Sequence, residues 1–138
     1  MGIITNFLLK LKVARCIKKG QASLALERLE QLLAQEGPSA FIYWLMAWCH
    51  ESLDDMASAV SAGKEALALE PDHYESLKLM AGVYHRLDEY DKAKDCVIKS
   101  LRHCPAKAKN EDKDYLSWAA NYLSWYDMEF NEPNPTIN

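Results

Sequence analysis

The apolar residues of this chain recur at helical spacing in blocks, and glycine, proline or paired acidic residues separate the blocks. Between residues 3 and 19 they fall at Ile4, Leu8, Leu9, Leu11, Val13, Cys16 and Ile17, which predicts a first helix broken by Gly20. Gln21-Ala22-Ser23 restarts the helix, and Ala22, Leu24, Ala25, Leu29, Leu32 and Leu33 carry it to Gly37-Pro38. A glycine followed by a proline is a common helix ending. Further helices are expected from about Ser39 to Ser52, Met56 to Leu69, His73 to Leu87 and Tyr90 to His103. Asp54-Asp55 and Asp88-Glu89 lie at turns within this run, where acidic side chains can cap the following helix and oppose its positive N-terminal end. Pro71-Asp72 and Pro105 mark the other turns, because proline cannot continue a helix interior. Lys107 to Lys113 reads as a short polar linker, and a last helix is expected from about Glu111 to Phe130. Asn131-Glu132-Pro133-Asn134-Pro135 then begins a frayed tail.

The blocks also repeat. From Ala40 to Lys107 the same unit occurs twice, 34 residues apart. Tyr43, Met46, Ala47, His50, Leu53-Asp54, Ala59, Ala66-Leu67 and Pro71 correspond to Leu77, Met80, Ala81, Tyr84, Leu87-Asp88, Ala93, Ser100-Leu101 and Pro105. A fixed period of this length is the mark of stacked helix–turn–helix units. The unit resembles a tetratricopeptide repeat, with Tyr43-x-x-Met46-Ala47-x-x-His50 and Leu77-x-x-Met80-Ala81-x-x-Tyr84 as first helices. Ala59, Ala66-Leu67 and Pro71, and Ala93, Ser100-Leu101 and Pro105, fit the second helices, while Gly63 stands where the family prefers an aromatic. Residues 1–39 resemble a diverged first copy: Gly20 precedes Ala25 as the turn glycine precedes the small residue, but Pro38 comes one residue late and Lys12 replaces a leucine. Tyr115-x-x-Trp118-Ala119-x-x-Tyr122 repeats the first-helix pattern four residues out of phase. The resemblance implies one all-α domain over 1–138, a right-handed superhelix of about seven helices. Its repeats would span 1–39, 40–73 and 74–107, with a capping helix at 110–130 and a tail at 131–138.

Composition changes this picture little. Apolar residues make up 49% and charged residues 26%, which is ordinary for a globular domain. The net charge of −4 argues against general nucleic-acid binding, which needs cations to neutralise phosphates. The charge is segregated, however. Lys10, Lys12, Arg15, Lys18 and Lys19 stand near the start without an acid among them, and Asp114, Asp127, Glu129 and Glu132 stand near the end. Solvated ends, head-to-tail association, or a basic end meeting an acidic partner would each fit. Contact of the basic helix with membrane or RNA is a weaker alternative. The cysteines at 16, 49, 96 and 104 form no C-x-x-C pair, so free thiols and a cytoplasmic setting are expected. The first residues fit neither a secretory signal nor a myristoylation site, and no apolar run reaches the length of a membrane span.

In the family, first helices line the concave side of the superhelix. The resemblance therefore places Lys10, Ala14 and Ile17, then Phe41, Trp44, Leu45, Trp48 and Glu51, then Glu75, Lys78, Leu79, Gly82 and His85 along a groove. Trp44 and Trp48 share one helix face and are not needed at signature positions. They read as anchors of a peptide-binding surface, with Phe41, Leu45 and Leu79 as apolar walls and Glu51, Lys78 and His85 tuning the rim. Packing of the tryptophans against the first and last helices is the competing reading. Some members of the family clamp the C-terminal carboxylate of heat-shock chaperones. The matching positions here are Lys10, Ala14, Leu45, Glu75 and Leu79, and only Lys10 suits, so that partner is not expected.

No enzyme signature is present, and no cofactor or metal is expected. His50 takes the place of an aromatic packing residue, and Cys49-His50 and His103-Cys104 are neighbours that point about 100° apart on a helix, a poor chelate. No phosphate-binding glycine loop occurs. The sequence thus implies a non-enzymatic module that holds a peptide or helix of a partner protein. Its alternatives are a small chaperone for a secreted or assembling partner, and a structural module dimerising through 111–130. The latter follows from the apolar outer residues Leu116, Ala120, Leu123, Trp125, Met128 and Phe130.

Overall fold

A computed structural model describes residues 3–131, with side chains from Phe7 onward, so the opening Met1-Gly2 and the tail 132–138 lie outside the described residues. The chain runs through α1 (Ile3–Lys18), α2 (Ala22–Glu36), α3 (Ala40–Ser52), α4 (Met56–Leu69), α5 (Tyr74–Arg86), α6 (Tyr90–Arg102), α7 (Ala106–Glu111) and α8 (Lys113–Tyr126). A wider π-helical turn, Asp127–Asn131, extends α8. α1 pairs with α2, α3 with α4 and α5 with α6, and the second helix of each pair packs on the next unit: α2 on α3, α4 on α5, α6 on α8.

Small residues set these pairings. Val13, Ala47 and Ala81 on the first helices and Ala25, Ala59 and Ala93 on the second are fully buried, which lets paired backbones approach closely. The turns inside each pair repeat the same geometry. Gly20, Asp54 and Asp88 all take left-handed backbone, at φ 72°, 61° and 59°. After them, the amides of Gln21, Asp55 and Glu89 donate to the carbonyls of Cys16, His50 and Tyr84 at 2.8, 2.8 and 2.9 Å. The turn therefore needs a residue that tolerates positive φ, which glycine and aspartate do. The first pair, diverged in sequence, keeps the spacing of the other two. Lys12, in the place of Met46 and Met80, is exposed there.

Caps follow the expectation in part. The Asp55 carboxylate accepts from the Ser58 amide at 3.2 Å and caps α4. Glu89 makes no such cap on α6 and instead pairs with Lys92 at 2.8 Å. Ser39 and His73 are the caps of α3 and α5 and not their first turns, accepting from the amides of Ile42 and Ser76.

The departure at Gly63 has a packing cause. A Cβ there would lie 2.1 Å from Sδ of Met80, which is fully buried between α4 and α5. The methionine of the next pair thus fills the space of the missing aromatic.

The largest correction lies after Pro105. The segment Lys107 to Lys113, expected as a linker, is mostly the helix α7, and the described residues hold eight α-helices. α7 occupies the stretch in which the last pattern falls four residues out of phase. α8 packs on α6 and buries Ala119, Tyr122 and Tyr126, while Ala120, Met128 and Phe130 stay exposed. Two apolar cores result, one among α1, α2 and α3 and one among α5, α6 and α8.

All four cysteines are free thiols, and Cys16, Cys49 and Cys96 are buried. Burial pushes Cys49 and Cys96 up to about 11. Among the described residues no helix is long and apolar enough to cross a membrane.

Candidate functional site: an aromatic groove on the first helices

α3 is apolar on nearly every side, so its packing decides what faces outward. Ile42, Leu45, Ala47 and Cys49 are buried and complete the core against α1, α2 and α4. Phe41 and Trp48 remain 42% and 37% exposed, and Trp44 is half-buried. Trp44 and Trp48, one turn apart, stack with centroids 6.0 Å apart and planes 19° apart. Phe41 tilts against Trp44 at 5.9 Å, and the ring of His73, at the start of α5, meets Trp44 edge-on at 6.1 Å.

The stacked pair forms a ridge with a pocket on each side. Toward α1 lies a space of about 230 Å³ lined by Lys10, Ala14, Ile17, Lys18, Phe41, Trp44, Leu45 and Trp48. Toward α5 lies one of about 410 Å³ lined by Trp44, Trp48, Glu75, Lys78 and Leu79. The walls are mostly carbon, with charges at the margins. Lys10 is held by Glu36 at 3.4 Å and lies 5.9 Å from the centroid of the Phe41 ring.

The structure thus brings Phe41, Trp44, Leu45, Trp48, Lys78 and Leu79 into one groove and leaves Glu51 and His85 elsewhere. Leu45 is more core than wall, since it is 7% exposed. Glu51 pairs with Arg86 at 2.8 Å, and Arg86 also reaches Asp54 at 3.1 Å. Lys78 is committed as well. Its ammonium bonds Asp112 at 3.0 Å, pairs with Glu75 at 3.5 Å, and lies near the rings of Tyr74 and Tyr115.

His85 sits among Tyr90, Trp118, Tyr122 and Trp125, with ring centroids 5.3 to 6.0 Å away. Its Nδ1 is buried and has no hydrogen-bond partner among the described residues. With Trp118, Asn121, Tyr122 and Trp125 it lines a third space of about 280 Å³. Sequence reasoning missed this aromatic wall. Trp118 and Tyr122 belong to the repeated first-helix pattern, but Trp125, expected on the outer side of the last helix, lines the same space beside His85.

Asp112 was also unforeseen. It accepts from the Tyr74 hydroxyl at 2.9 Å as well as from Lys78, and so ties α5 to the α7–α8 junction. Burial pulls its carboxyl upward, but the bonds from Lys78 and Tyr74 outweigh that and hold it below the ordinary carboxylate range.

No protein-family model matches the sequence, and no curated protein matches it. Solved structures do match. The chain is similar to the first tetratricopeptide (TPR) domain of Spaghetti (RPAP3) bound to the HSP90 peptide SRMEEVD, at 19% identity and TM-score 0.67, over 83% of this chain and 93% of that one. It is similar to the Sgt2 TPR domain from Aspergillus fumigatus at 14% identity and TM-score 0.74, over 94% and 85%. It is also similar to MamA at 23% identity and TM-score 0.66, over 85% and 72%. The paired helices, their repeating left-handed turns and these likenesses together show that the chain has the tetratricopeptide-repeat fold.

Proposed function

We propose that the chain is a non-enzymatic protein–protein interaction module, and that its groove holds an apolar peptide or helix of a partner protein. The carrying observation is the Trp44–Trp48 ridge, which stands exposed between two apolar pockets although the core of its helix is already filled by Ile42, Leu45, Ala47 and Cys49. Large aromatic groups at the centre of a concave surface are the usual anchors of peptide binding. An occupant would straddle the ridge and place one apolar side chain on each side.

The RPAP3 domain is bound to a chaperone peptide, but the groove here favours a different ligand. The clamp positions that the family implies are Lys10, Ala14, Leu45, Glu75 and Leu79, and all five line the two pockets. Only one is a cation, and Glu36 already engages it. Glu75 would repel a carboxylate. We therefore expect no binding of SRMEEVD.

The test is selection from a random peptide library against the whole chain, with SRMEEVD as a comparison. The proposal expects enriched peptides with at least two spaced apolar or aromatic residues and no need for a terminal carboxylate. No enrichment, or enrichment of acidic C-terminal tails, would overturn it.

A further inference from the structure

We propose that the outer face of α1 docks on the outer face of α8 of a second copy, so that the chain associates head to tail. The two faces adjoin the spaces already described, sharing Lys18 with the pocket toward α1 and Asn121 with the His85 space, but their centres lie outside them. On α1, Leu9, Val13 and Cys16 point to the core. Leu8, Leu11 and Arg15 follow one another at helical spacing on the opposite side, with Leu8 50% and Leu11 46% exposed. Around them stand Lys12, Lys18 and Lys19, also exposed. Among the described residues no carboxylate pairs with Lys12, Arg15, Lys18 or Lys19.

On α8 the side away from α6 carries Ser117, Ala120, Asn121 and Ser124, all exposed. Side chains this small allow another helix to approach closely. Met128, 61% exposed, lies beyond this side within the π-turn. Asp114, Asp127 and Glu129 flank it, exposed and in no ion pair among the described residues.

One face is cationic and carries two exposed leucines, the other is anionic with small side chains and Met128, so the two are complementary in charge. Two α8 faces brought together would oppose acid to acid, so the charge disfavours a symmetric dimer through residues 111–130. A head-to-tail contact is heterologous. It leaves one free head and one free tail on every assembly, and therefore growth does not stop at two copies unless the ring closes.

Sedimentation velocity of the 138-residue chain over a range of concentration and salt tests this. Two variants change exposed residues only: Leu11→Ser with Arg15→Gln spoils the head, and Met128→Ser with Glu129→Gln spoils the tail. The proposal expects the wild-type mass to rise with concentration beyond a dimer and to fall with added salt. Each variant alone should be monomeric, and their equimolar mixture should give a one-to-one dimer that grows no further. A wild-type monomer at every concentration would overturn the proposal. So would a dimer that survives in the head variant, which would place the contact on α8 alone. Binding of the monomer to anionic lipid vesicles, lost in the head variant, would also overturn it and make α1 a membrane face.

Discussion

At the scale of the residue, two glycines in first and second helices have opposite roles. Gly63 leaves room for Met80, whereas nothing lies within 4 Å of a Cβ built on Gly82. Gly82→Ala should therefore raise stability by about 0.5 to 1 kcal/mol, the usual helix preference of alanine. Gly63→Ala gains the same preference but forces Met80 aside, and should cost about 1 to 3 kcal/mol as other overpacked cores do. Urea midpoints of the two variants check both signs. Asp112 offers a pH test. Its folded carboxyl is held below the ordinary range, so its contribution is complete above that range and is lost as pH falls through the folded value. Asp112→Asn should be less stable than wild type at neutral pH, and the gap in thermal midpoint should close on acidification. A gap that stayed constant with pH would show that the Lys78 and Tyr74 bonds to Asp112 do not contribute. Neither feature was legible from one sequence. The Gly63 gap is filled by a residue of the next repeat, and Asp112 finds Tyr74 and Lys78 across more than thirty positions.

The helices themselves were legible nearly to the residue between Ala40 and Arg102, because each carries its own apolar stripe, turn and stop. The α3 start rests on one local bond, Ser39 Oγ accepting from the Ile42 amide at 3.1 Å. Ser39→Ala should lower stability by about 1 kcal/mol, read as a shift of the denaturation midpoint, and Ser39→Asp should restore most of it. Reading failed where a helix depended on its neighbour. Lys107 to Lys113 reads as linker because it is polar, yet most of it closes as α7, and Trp118, Tyr122 and Trp125 of the helix that follows meet His85. Which side chains of a helix meet a neighbour is decided by what the helix packs on, and a 34-residue period does not specify it once the period is broken.

The whole molecule is organised so that each first helix sends small residues inward and, in α3, tryptophans outward into the groove. Phe41, Trp44, Trp48 and Leu79, expected from the repeat to face a groove, line the two pockets beside the ridge. Glu51 and His85, expected at the rim, meet Arg86 and the α8 aromatics, partners from other units that the repeat does not specify. The central claim is that the Trp44–Trp48 ridge binds a partner. The most direct measurement is the affinity of one library-selected apolar peptide for the wild-type chain and for Trp44→Ala with Trp48→Ala, both shown folded by circular dichroism. Loss of anchors of this kind costs about 2 to 4 kcal/mol, and the account predicts a drop in affinity of at least about thirtyfold. An unchanged affinity in the folded double variant would contradict it.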